Sequence, residues 1–194
     1  MNAPHRLRPA DVLSCEEIAH FTSRSDLAGW WAIASTWAII AGCFAALIWA
    51  PHPITYLLAV LVLGGRQLAL AIILHEGSHG TLFKSRWLNH HASDWLAGRF
   101  IWIDLPRYRE HHLRHHAHTN QAGDPDLSLT RPFPASAGSV TRKFLRDLSG
   151  LSGIRRVVGL VLMDLGVITW TVAADTQPRP RNGRVWRDYA KEGL

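Results

Sequence analysis

Two long apolar runs stand early in the chain, a shorter one stands late, and the stretches between them are polar and histidine-rich. Ala28 to Ala50 holds 23 residues without a charge. That is enough to cross a hydrocarbon core of roughly 30 Å at about 1.5 Å per residue. Trp30 and Trp31 mark one end of this run and Trp49 the other, as in interfacial aromatic belts. Pro51-His52-Pro53 breaks the run, and Ile54 to Leu74 follows, 21 residues interrupted only by Gly64, Gly65, Arg66 and Gln67. The pattern predicts a hairpin of two membrane spans. Arg66 has two readings of equal weight: a costly charge facing protein or an aqueous cavity, or a snorkelling side chain on a tilted span. Val157 to Ala174 is a third apolar block of 18 residues broken by Asp164, marginal for a full span. The fold class expected is an all-α integral membrane protein, with a transmembrane hairpin, a cytoplasmic histidine-rich helical region and a third partial span.

The polar stretches refine this plan. Residues 1–27 form an N-terminal segment in which Ser14 and Glu17 make a capping box, so a short helix over Cys15 to Phe21 is expected. Residues 75–156 carry twelve Lys/Arg against seven Asp/Glu. The positive-inside tendency places that segment in the cytoplasm, and the N-terminus, two spans away, shares its side. Trp95 to Leu105 is apolar but too short to span, and is expected either to lie in the membrane interface or to dip into it. Gly123-Asp124-Pro125-Asp126 and Arg131-Pro132-Phe133-Pro134 are turn signals. Between Val140 and Arg156, apolar residues recur at helical spacing among basic ones, which suits a helix lying on a membrane surface. The tail, 175–194, has five basic and three acidic residues. If the 157–174 block crossed, this tail would lie outside, against the charge rule, so either the block crosses incompletely or a fourth span is missing.

Composition removes other classes. Hydrophobic residues make up 47% of the chain, in clusters, and Trp numbers 9. The formal charge of +6 reads as loops facing anionic lipid, since no basic run is interleaved with base-stacking aromatics; nucleic acid is not an expected partner. Cys15 and Cys43 offer no disulfide framework and no CxxC pair. A cleaved signal peptide is not expected, because the first apolar run begins late and is too long. No internal repeat is present.

The chemistry lies between His75 and His118, where nine of the twelve histidines fall. His75 and His79 are four apart, which on a helix stacks both imidazoles on one face. His112, His115 and His116 repeat this geometry with offsets of three and four. Neutral imidazole suits iron and zinc, and two helical pairs make a plausible dinuclear site. Either cluster alone has a bland explanation, a chance motif or a basic surface patch; together, 35 residues apart beside apolar segments, they favour metal. His90 and His91 read as polar loop residues. His111 and His118 read as solvent-facing or as neighbours of the ligands. Asp124 and Asp126 either fix the tautomers of ligating histidines or form an ordinary Asp-Pro turn. Asp164 is either functional or simply marks a span end. The sequence His75-Glu76-Gly77-Ser78-His79 also fits an HExxH zinc site with Glu76 as base, so an intramembrane metalloprotease is the rival enzyme. Against it, such a protease needs one further ligand, not a second HxxHH array. A non-catalytic membrane protein retaining half a site is the third reading.

These motifs resemble the membrane fatty acid desaturase and lipid hydroxylase superfamily, whose members carry an HxxxH or HxxxxH box, an HxxHH box and a late HxxHH or QxxHH box. His75 to His79 matches the first and His112-Leu-Arg-His115-His116 the second. Gly65-Arg66-Gln67, Gly80-Thr81-Leu82-Phe83, Tyr108-Arg109, Thr119 and Asp124-Pro125-Asp126 look familial too. The resemblance is close over roughly residues 54–130 and implies two irons held by histidines, with His75, His79, His112, His115 and His116 as ligands from this chain. Glu76, His111, His118, Asp124 and Asp126 would then support those ligands. It also implies O2 as co-substrate, a lipid acyl substrate, and electrons from a ferredoxin-like or cytochrome-like donor. The reaction implied is desaturation or hydroxylation at an unactivated C–H bond, in lipid metabolism. No histidine follows His118, so a third box is not matched; the chain is expected either to be a truncated product or fragment, with its activity in doubt, or to take the missing ligands from another chain.

Overall fold

The computed structural model describes residues 8–173 and 176–179. Most of the tail expected over 175–194 therefore lies outside the described residues. The chain divides into two units, Met1–Leu105 and Pro106–Leu194.

The first unit opens with α1 (Cys15–Phe21). Its capping box forms as the sequence predicts: the Glu17 amide donates to Ser14 Oγ, and Glu17 Oε2 accepts from the Ser14 amide at 2.8 Å. The charge-free run then folds as α2 (Asp26–Trp49), and α3 (Pro53–His79) returns antiparallel to it after the proline break. Pro53 occupies the first turn of α3, where its missing N–H costs nothing. The two long apolar helices form a hairpin, and both are long and apolar enough to cross a membrane. Only 11% and 22% of their apolar windows are buried, whereas a core helix of a water-soluble protein would be mostly covered. On α3, Leu57, Leu58, Val60, Leu61, Leu68 and Ile72 are all exposed. Each would cost roughly 1.5–3 kcal/mol in water, a total of about 9–18 kcal/mol that rivals the whole net stability of a domain. A lipid environment removes that cost.

The helix runs one turn past the apolar block that defines it, so α3 carries His75 and His79 beyond Leu74. It stops at Gly80, whose φ of 71° is left-handed and closes the helix. After the turn, α4 (Arg86–Trp95) packs back on the end of α3. The contact is close at Gly77: a Cβ there would overlap the Ser93 side chain and lie 2.8 Å from the Asn89 carbonyl. The core of this unit is Ile33, Leu70, Ile73, Phe83, Ala92 and Ala97. Asn89 pins the loop beneath it, accepting from the Phe83 amide at 3.0 Å and donating to the Phe83 carbonyl at 2.7 Å. Trp37 of α2 donates to the Leu96 carbonyl at 2.8 Å.

Trp95 to Leu105 is partly folded into the first unit. Ala97, Gly98 and Leu105 are buried, a 3-10 turn runs from Gly98 to Ile101, and the buried Asp94 accepts from the Leu105 amide at 2.7 Å and from Arg99 at 3.2 Å. Ala97 joins the core of the first unit, with Leu96 and Ile101 packed against it, whereas Trp95, Phe100 and Trp102 stay exposed. His90 and His91 lie on α4, a helix rather than the loop expected, because Ser85 caps a continuous helical stretch ahead of them.

The second unit is also helical. α5 (Leu105–His118) starts at the boundary between the units and carries the second histidine cluster. A short turn, α6 (Leu127–Thr130), precedes α7 (Ala137–Leu148) and α8 (Leu151–Asp164), which pack against each other. The single surface helix expected over Val140 to Arg156 is two helices, because Gly150 takes a left-handed φ of 78° between them. The third apolar block is not one helix either. α8 covers only its first part and ends at Asp164; Gly166, with φ of 66°, turns the chain, and Ile168 then pairs with Pro178 in an isolated antiparallel bridge. At 14 residues, or about 21 Å, α8 is shorter than a bilayer core.

Candidate metal centre

In the first unit, helical spacing brings His75 and His79 together on the last turn of α3, with ring centroids 4.7 Å apart. Between them Gly77 and Ser78 are buried, Gly77 against α4. Ser78 also donates to the His75 carbonyl at 2.6 Å, so its hydroxyl is satisfied inside the helix. Glu76 sits beside His75, with Oε1 2.9 Å from His75 Nδ1. Its other oxygen accepts from Thr81 Oγ1 at 2.6 Å, and the Thr81 amide caps the Glu76 carbonyl at 3.0 Å. The helix stop at Gly80 is what returns Thr81 to Glu76. The carboxylate occupies Nδ1 of His75, so Nε2 is the ring nitrogen that could hold a metal.

In the second unit, α5 brings His112, His115 and His116 together. His112 and His116, four apart, have ring centroids 4.5 Å apart and Nε2 atoms facing at 3.0 Å. The centroid of His115 lies 5.6 Å from that of His116 and 6.2 Å from that of His112. Tyr108, one turn earlier, stacks on His112 at 5.2 Å. Its hydroxyl pKa is raised, first by burial and then by the negative charge of Asp126.

The Gly123-to-Asp126 turn folds its carboxylates onto the helix. Asp124 Oδ1 lies 2.8 Å from His115 Nδ1 and accepts from the Asp126 amide at 2.8 Å, while Oδ2 accepts from the Asn120 amide at 2.7 Å. Burial raises the Asp124 pKa, but the His115 bond and the two amides outweigh it and hold the carboxyl down at about 2. Asp124 is thus ionised at neutral pH and accepts from His115 Nδ1, so Nε2 is the ring nitrogen that could hold a metal. Asp126 Oδ1 lies 2.7 Å from His111 Nε2. His111 is only 5% exposed, with the edge of Trp170 against its ring. Its Nε2 is committed to Asp126.

His118 is exposed, and its Nδ1 bonds the Arg114 carbonyl at 3.1 Å. His90 and His91 lie on the exposed side of α4, edge to face with each other, with Trp87 against His91. Sequence reasoning missed Thr81, Tyr108, Asn120 and Trp170 as partners. Tyr108 has a legible signal, its i−4 spacing from His112. Trp170 has none, because only tertiary folding sets it against His111.

Comparison with known proteins agrees with this arrangement. The fatty acid desaturase family profile matches residues 49–192, which takes in both histidine clusters. The chain is also similar to the Delta(5) fatty acid desaturase fat-4 of Caenorhabditis elegans, 32% identical over 93 residues. That alignment covers 47% of this chain and 21% of the relative, so the chain matches about a fifth of that protein's length. No solved structure matches. The chain belongs to the fatty acid desaturase family.

Proposed function

We propose that the chain acts as a membrane-bound oxidoreductase that desaturates or hydroxylates a lipid acyl chain with dioxygen at a di-iron centre. The observation that carries this reading is the matched build of the two clusters. Each holds an i,i+4 histidine pair, and each includes a ring whose Nδ1 is held by a carboxylate: His75 by Glu76 and His115 by Asp124. We assign His75, His79, His112, His115 and His116 as the ligands from this chain, on the spacing within each cluster. An all-imidazole donor set with carboxylates behind it fits iron, and it needs no thiolate. When bound, the iron pair supplies the redox chemistry with dioxygen that an unactivated C–H bond requires.

The chain's own residues hold and orient that centre. Glu76 and Asp124 set tautomers, Thr81 holds Glu76, and the His111–Asp126 pair ties α5 to the following turn. His118 lies at the margin of this network. A carboxylate held by Thr81 and His75 is an orienting group, which argues against Glu76 as the base of an HExxH protease. The two electrons that accompany dioxygen come from a ferredoxin-like or cytochrome-like donor, and the oxygen not carried into product leaves as water. Residues 28–74 cross the bilayer, and the N-terminus and histidine clusters lie on its cytoplasmic side. The excess of twelve Lys/Arg over seven Asp/Glu in 75–156 supports that orientation.

The test is metal content together with lipid products. The full chain is purified from membranes and assayed for iron and zinc, and the acyl chains of the host membranes are analysed for new double bonds or hydroxyls. Iron that is lost in His79→Ala and in His115→Ala supports the assignment. Stoichiometric zinc with no affinity for iron would overturn it.

A further inference from the structure

We propose that the α7–α8 pair is an anchor that docks on the surface of a bilayer containing anionic lipid. On α7, Val140, Phe144, Leu145 and Leu148 share one face, and Arg142, Lys143 and Arg146 share the opposite one at 100° per residue. On α8, Leu151, Ile154, Val158 and Val161 recur at helical spacing along one stripe. These apolar side chains are uncovered: Leu148 is 82% exposed, Ile154 64% and Phe144 63%. The corner between the helices is built rather than loose. Ser152 donates to Asp147 at 2.5 Å and accepts from Arg146 at 3.1 Å, and Lys143 pairs with Asp147 at 2.5 Å.

The occupant follows from charge and shape. From Ala137 to Asp164 the pair carries five basic residues, Arg142, Lys143, Arg146, Arg155 and Arg156, against Asp147 and Asp164, a net of +3. An exposed apolar face flanked by long cationic side chains matches the headgroup boundary of an anionic membrane. Apolar groups enter the acyl layer while Lys and Arg reach up to phosphates. A helix of 12 residues followed by one of 14 can lie on that boundary, and neither can cross the core beneath it. The proposal rests on the reading that α2 and α3 cross a bilayer.

Spin labels distinguish the two claims. In a chain with Cys15→Ser and Cys43→Ser, labels are placed singly at Leu61→Cys on α3, Leu148→Cys on α7 and Ser139→Cys on the basic side of α7. Each protein is reconstituted in phosphatidylcholine alone or mixed with phosphatidylglycerol. Collision rates with oxygen and with a water-soluble nickel chelate are then read. The expected result in the anionic bilayer is lipid-like access at Leu61 and Leu148 and aqueous access at Ser139. Removing charge by Arg142→Gln, Lys143→Gln and Arg146→Gln should return Leu148 to aqueous access while circular dichroism stays unchanged. An aqueous label at Leu148 beside a lipid-facing Leu61 overturns the anchor alone; an aqueous Leu61 overturns the membrane reading itself. Protection of Leu148 that is equal without phosphatidylglycerol, or that appears only at high protein density, also overturns the proposal, the latter in favour of a second copy of the chain.

Discussion

His115 Nδ1 and Asp124 Oδ1 lie 2.8 Å apart, joining the histidine helix to the turn that follows it. The same carboxylate accepts two backbone amides, those of Asn120 and Asp126, so it uses both oxygens at once. Asparagine has one acceptor oxygen and cannot replace all three bonds. In Asp124→Asn, His115 should lose its fixed tautomer, and iron affinity should fall by about 10–100-fold, the usual cost of removing a partner behind a metal-ligating histidine. Iron titration followed by optical absorption checks this. Wild-type affinity in the variant would remove Asp124 from the centre.

Acid should expose the same bond. Asp124 is held at about 2 in the folded chain against an ordinary value of 3.8. A depressed carboxyl contributes stability above its unfolded value and loses it as pH falls through the folded one. Wild-type metal-free protein in detergent should therefore weaken steadily between about pH 4 and pH 2, and Asp124→Asn should show a shallower slope there. Thermal unfolding across that window gives the comparison; parallel slopes would contradict it.

Much of this arrangement is legible in the sequence, and the failures share a cause. Apolar length marks α2 and α3, and the i,i+4 histidines mark their own clustering because helical geometry is local. Ser14 and Glu17 announce α1 for the same reason. Asp124 and Asp126 stand out as neighbours of the histidines, although a turn signal alone leaves their contacts open. What hydropathy does not show is where an apolar stretch bends. Gly150 and Gly166 adopt left-handed φ values that break the expected surface helix and the third apolar block respectively, and counting apolar residues passes over both. Nor does hydropathy show that Asp94 draws the end of the Trp95 to Leu105 stretch inward through the Leu105 amide. Trp170 beside His111, 59 residues away in sequence, is likewise a tertiary fact.

The metal assignment predicts selectivity among histidines of one chemical type. His79→Ala and His116→Ala should each abolish stoichiometric iron, whereas His91→Ala, on the exposed side of α4 beside Trp87, should retain it. Metal analysis of the three purified proteins, with helicity as the control for folding, decides the point. Equal loss in all three would mean that histidine-rich surface, and not a built centre, holds the ion.

Gly77 places the first cluster by letting α3 approach α4, and its substitution should separate packing from chemistry. A Cβ at Gly77 would meet the Ser93 side chain and the Asn89 carbonyl, and the carbonyl belongs to a helix backbone that cannot swing aside. Gly77→Ala should therefore push the last turn of α3 off α4, at a cost of about 1–3 kcal/mol for overpacking. Gly64→Ala provides the contrast, since nothing lies within 4 Å of its Cβ and the same helix gains an alanine in its interior. That change should be neutral or stabilising by about 0.5–1 kcal/mol. Thermal denaturation in one detergent ranks the two. If Gly77→Ala unfolds no earlier than Gly64→Ala, the close approach does not hold the first histidine pair in place. If it unfolds earlier but still binds iron fully, α3 positions His75 and His79 through its own helix and the Gly80 stop, without help from α4.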